Sequence, residues 1–149
     1  PATAYTSADL DWNNKSSRSS IEMTTENSRP ELGGEALNLK DYDVIFLGYP
    51  IWWNLCPRPV NTFLEKYDFS GKTVIPFATS GGSSITNSVK QLKKLYPKNR
   101  MGRKPIVERK CQAGRRVGER SNIKMATENI FTKYEKLNRA EVIVNILNE

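Results

Sequence analysis

The chain has 149 residues, 38% of them hydrophobic, a formal net charge of +7 and no histidine. That length suits a single folding unit with a real core. No apolar run approaches the roughly 20 residues that span a bilayer, so no membrane association is expected. The lack of histidine argues against Ser-His or Cys-His catalysis and most zinc chemistry.

Cys56 and Cys111 match neither a metal nor a disulfide spacing, and no charged-then-apolar leader opens the chain. A reducing, cytoplasmic setting is therefore expected. The charge is unevenly placed. Ten Lys or Arg stand against Glu108 and Glu119 between Lys98 and Lys124, a local net of +8 that leaves 13 basic and 14 acidic residues elsewhere. The basicity belongs to one segment and not to the fold.

In chain order, residues 1 to about 35 are polar and aperiodic, and read as a long irregular arm. Over 30–39, Leu32, Ala36 and Leu39 share a face behind Glu31 and Glu35, which predicts a short helix. Val44-Ile45-Phe46-Leu47 has no polar alternation, as expected of a strand covered on both faces in a parallel sheet. Pro57 and Pro59 suit the first turn of a helix. Val60, Phe63, Leu64 and Tyr67 then recur along one face. Residues 73–78 predict a second apolar strand, in which Pro76 removes a ladder donor and implies an irregularity. A helix carrying Ile85, Val89, Leu92 and Tyr96 follows Ser80-Gly81-Gly82-Ser83-Ser84.

Strand, helix, strand, helix is the crossover unit of an α/β sheet. Ligands of such sheets bind outside the carboxyl ends of the strands. Both unusual loops, 49–54 and 79–84, fall there. The first offers Tyr49, Trp52 and Trp53, and flat aromatics stack on flat heterocycles. The second offers hydroxyls, close backbone approach at Gly81 and Gly82, and a helix N-terminus that favours negative charge. Together they predict a slot for a planar, polar-edged ring. The plainer alternative is that both indoles pack under helices while Ser83 or Ser84 caps one.

Beyond Pro97 the pattern breaks. Residues 98–122 are basic and rich in glycine, with 105–108 as the only scrap resembling a strand. Residues 121–149 read as helical, with Ile123, Ile130, Tyr134 and Leu137 on one face and Val142, Ile143, Ile146 and Leu147 near the end. The composition shift divides the chain into 1–97 and 98–149.

Three stretches, DLDWNNKSSRS (9–19), GYPIWW (48–53) and TSGG (79–82), occur in the order in which a bacterial flavodoxin-like family carries them. The chain resembles that family over roughly residues 3–96. The resemblance implies a flavodoxin-like three-layer α/β/α fold with a parallel sheet. It also implies FMN binding, with electron transfer or NAD(P)H-dependent reduction of quinones or similar acceptors, and a small-molecule or protein redox partner. By position, Tyr49, Pro50, Ile51, Trp52, Trp53 and Asn54 would form the loop beside the isoalloxazine, one indole stacking on it. Thr79, Ser80, Gly81, Gly82 and Ser83 would reach its pyrimidine edge and ribityl chain. No catalytic side chain is implied, because the flavin does the redox chemistry.

The resemblance also carries departures. The family's first strand, phosphate loop and second strand have no counterpart before Pro1, so the fold is expected to be incomplete and FMN binding weak or absent. With strand order 2-1-3-4-5, the strand at 44–47 would present an open apolar edge and invite a homo-oligomer. The family's fifth strand and last helix are likewise replaced after residue 97. The basic 98–124 segment suggests a different function, binding to nucleic acid or an anionic surface. Against it, no aromatic lies between Lys98 and Lys124 to stack on bases.

Overall fold

A computed structural model describes residues 1–102, together with the backbone of two short strands at 106–109 and 140–143. In chain order the elements are α1 (Arg18–Thr24), β1 (Val44–Pro50), α2 (Arg58–Lys66), β2 (Thr73–Ser80), α3 (Thr86–Leu95), β3 (Arg100–Met101), β4 (Ile106–Arg109) and β5 (Ala140–Ile143).

The pairings among the described strands are all parallel. β1 and β2 form the centre, in register from Val44↔Thr73 to Pro50↔Thr79. The crossovers from β1 to β2 and from β2 onward step the same way across the sheet, so their helices share a face. On that face Ile45, Leu47 and Tyr49 of β1 and Val74 and Ala78 of β2 pack with Val60, Phe63 and Leu64 of α2 and Val89 and Leu92 of α3. Phe46, Ile75 and Phe77 point to the opposite face and are buried as well. Burial on both faces is the condition a parallel sheet needs, and the expected α/β class is what forms.

The apolar periods of both long helices fall on the core as predicted. Pro59 sits in the first turn of α2, and Phe63 packs against both Tyr67 and Phe69. Pro76 lies within a continuous β2, and its irregularity appears in the neighbouring ladder instead. β3 pairs only with Thr73 and Val74, and β4 resumes at Phe77. The break falls where the proline has no N–H to offer. The strand foreseen at 105–108 is β4, which begins one residue later, at Ile106.

Three expectations are corrected. The polar arm holds α1, where the Ser17 side chain caps the Ser20 amide and Arg18 pairs with Glu22 one turn on. Its apolar period is too short to read. No helix forms at 30–39; Gly33 and Gly34 interrupt it, and Gly34 adopts φ 85°, a left-handed conformation outside any α-helix. Finally, 140–143 is strand, not helix. A short apolar run does not distinguish the two until a partner is known. β5 pairs with β1 from Val44↔Ala140 to Leu47↔Ile143. The edge foreseen as open is therefore covered along those residues, in the place that the order 2-1-3-4-5 assigns to a first strand. The rest of the foreseen C-terminal helix, and most of the basic 98–124 segment, lie outside the described residues. Among the described residues, no helix is long and apolar enough to cross a membrane.

Candidate functional site at the strand ends

β1 and β2 end side by side, with Pro50 opposite Thr79. The chain then turns away twice, and the two turns are bonded to each other: the Ile51 amide donates to the Thr79 carbonyl over 3.0 Å. The loops 49–54 and 79–84 thus leave the sheet side by side, at the edge where ligands of such sheets bind.

The first loop is a tight reversal. Trp52 and Leu55 exchange backbone hydrogen bonds of 2.9 and 2.8 Å. Between them Trp53 and Asn54 take φ of 45° and 64°, the signature of a type I′ turn. Asparagine tolerates that region, but a bulky aromatic seldom enters it. The turn leaves Trp53 48% exposed. Trp52 is half-buried, Asn54 is exposed, and Pro50 and Ile51 are half-buried. Neither indole is sealed in the core.

The second loop is open backbone. Ser80 is buried, and its Oγ accepts from the Gly82 amide over 3.2 Å. At Gly81 and Gly82 an added Cβ would meet nothing within 4 Å. These glycines are demanded neither by a crowded neighbour nor by a left-handed backbone, so they leave clear space above the main chain. Ser84 Oγ accepts from the Thr86 amide over 3.2 Å just ahead of α3, whose N-cap, Ile85, has no side-chain cap. The hydroxyls of Thr79 and Ser83 make no hydrogen bond among the described residues, and α3 points its positive end at this loop.

Tyr49 faces the other way. It is 4% exposed within the helix-covered core, and its Oη accepts from Ser88 Oγ over 3.0 Å. Burial, against that hydrogen bond, pushes its phenol pKa well up. Beneath the loop, Cys56 is also fully buried, and burial lifts its thiol to about 12. The Tyr49 side chain is therefore set in the core against α3, while Trp53 stands open.

One residue escaped the sequence reading. Tyr5, from the polar arm, is buried against Trp52 with ring centroids 5.3 Å apart. Its signal was an isolated aromatic just ahead of the DLDW stretch, with no periodicity to mark it.

The fold is a parallel α/β sheet that carries an aromatic turn and an open glycine turn at the carboxyl ends of adjacent strands, the edge where ligands of such sheets bind. The chain belongs to the flavodoxin family, whose model, described as "Flavodoxin", matches residues 1–113. It is similar to a candidate flavoprotein from Bacteroides eggerthii, 45% identical with a TM-score of 0.71, over 92% of this chain and 77% of that one. A second crystal structure, of a candidate flavoprotein from Bacteroides uniformis, is 48% identical with a TM-score of 0.71, over 86% of this chain and 77% of that one. No curated protein matches the chain.

Proposed function

We propose that the chain is a flavodoxin-type redox protein. It holds FMN between 49–54 and 79–84 and passes electrons from an NAD(P)H-class donor to a quinone-like or protein acceptor. The flavin supplies the electron chemistry; the protein binds, orients and shields it. Trp53 offers its exposed indole face to the ring. Thr79, Ser83 and the main chain at Ser80, Gly81 and Gly82 meet its polar edge. Trp52, Ile51 and the Pro50 turn set the width of the slot.

The observation that carries this reading is the bonded pair of turns, Ile51 on Thr79, with a free indole on one side and unobstructed glycine backbone on the other. Family membership and the two similar flavoproteins support the choice of a flavin among flat ligands.

The test is direct. The purified chain is scanned for flavin absorbance, then titrated with FMN while tryptophan emission is followed. Saturable quenching is expected, and Trp53→Ala should weaken it far more than Lys104→Ala. A colourless chain whose emission ignores FMN would remove the proposal. Retention on nucleic acid that falls steeply with salt would favour the basic segment instead.

A further inference from the structure

We infer that Tyr5 is a positioning residue for the crevice, bracing Trp52 from outside the two loops, an inference that rests on the flavin reading above. The Tyr5 ring meets the Trp52 indole edge-on, at 5.3 Å between centroids and 86° between planes. This is the arrangement that ring quadrupoles favour.

Tyr5 is in turn held on two other sides. The Arg18 guanidinium sits 4.1 Å from its ring centroid, and the phenol donates to Glu22 Oε2. Arg18 Nε closes the triangle on Glu22 Oε1 over 2.8 Å. Burial and the Glu22 bond push the phenol's pKa well up, so the hydroxyl stays a donor at neutral pH.

The triangle is anchored to the fold rather than floating with the arm. Arg58, 4% exposed at the start of α2, donates to the Glu22 carbonyl over 3.1 Å and to the Met23 carbonyl over 2.8 Å. The order of support runs from α2 through α1 to Tyr5, then to Trp52 and the turn that carries Trp53. A bulky residue at positive φ persists only where its surroundings over-determine it. The internal Trp52–Leu55 bonds supply part of that constraint and Tyr5 supplies the rest. Without the Tyr5 ring the turn can relax, and Trp53 loses its fixed projection.

The experiment isolates Trp52. The chain has three tryptophans, so Trp12→Phe with Trp53→Phe leaves Trp52 as the sole indole. Its emission anisotropy and near-UV circular dichroism are read without flavin in three backgrounds: Tyr5, Tyr5→Phe and Tyr5→Leu. Tyr5→Leu should lower the anisotropy and flatten the band, while Tyr5→Phe, which keeps the ring, should restore both. In the otherwise native chain, Tyr5→Leu should raise the FMN dissociation constant about two- to tenfold, with Tyr5→Phe close to the parent.

If Tyr5→Leu does not fold, Arg18→Met, which removes the cation from the Tyr5 ring, must lower the Trp52 anisotropy instead. A folded variant of either kind with unchanged Trp52 signals overturns the inference. A native chain that binds no FMN ends the flavin reading, and the flavin-free anisotropy still decides whether Tyr5 braces the turn.

Discussion

The Phe77 ring lies across Gly48, its register partner on the neighbouring strand. A Cβ on Gly48 would come within 2.9 Å of Phe77 Cε1 and nearer still to Cζ. Phe77 is 5% exposed, so its ring would have to shift within a packed face. The glycine that opens the GYPIWW stretch is therefore a packing requirement, two residues before the crevice begins.

Gly48→Ala should destabilise the chain by about 1–3 kcal/mol, the usual cost of overpacking a closed site. Denaturant midpoints measure it. Phe77→Leu in the same chain should recover part of the loss, since contacting sites are not additive. Equal losses with and without Phe77 would show that the ring is not the obstacle.

Trp53→Asn should move stability and binding in opposite directions. Relieving a left-handed aromatic should stabilise the flavin-free chain by about 1 kcal/mol. Removing the exposed indole should weaken FMN binding roughly two- to tenfold. Thermal melts and an FMN titration read the two effects. A variant losing both stability and affinity would mean that the turn is not strained.

Arg58→Lys should not substitute for arginine. One ammonium cannot span the Glu22 and Met23 carbonyls as the guanidinium fork does. Leaving a buried carbonyl unsatisfied costs about 1–3 kcal/mol. Hydrogen exchange over 18–25 should quicken selectively, because those carbonyls end α1. Uniform quickening across the sheet would point to general loosening instead.

Alkaline pH should destabilise the fold. Burial raises the Cys56 thiol from its ordinary 9.0 to about 12. Burial, partly offset by the Asn61 bond, raises the Tyr96 phenol from 10.0 to about 12. A group whose pKa is raised by folding gives its full stabilisation below its unfolded pKa and loses it as pH climbs through the folded one. Melting temperature should therefore hold near neutrality and fall from about pH 9 upward. Iodoacetamide should spare Cys56 in the folded chain and label it on unfolding; labelling at the same rate in both states would show the thiol is not buried.

Much of the core was legible before any coordinates. Val60, Phe63 and Leu64, and Ile85, Val89 and Leu92, lie on the core-facing sides their spacing implied. The unbroken apolar runs at 44–47 and 74–78 announced strands buried on both faces. The two turns at the strand ends were legible because proline and glycine mark where strands end, and parallel pairing then sets them side by side. Tyr49 was named with those loops, and its side chain is buried in the core. Alternation sends it to the helix-covered side with Ile45 and Leu47, although it belongs to the same motif as the tryptophans.

Local pattern alone established the central strand–helix–strand–helix unit and where its two strand-end turns fall, because hydrophobic period and turn chemistry act between residues a few positions apart. Only the packed structure decided that α1 exists, that Tyr5 leans on Trp52, and that 140–143 runs beside β1. Each of those rests on a partner tens of residues away, such as Arg58 for α1 or Val44 for Ala140. Such a partner leaves no periodic trace in the segment it stabilises.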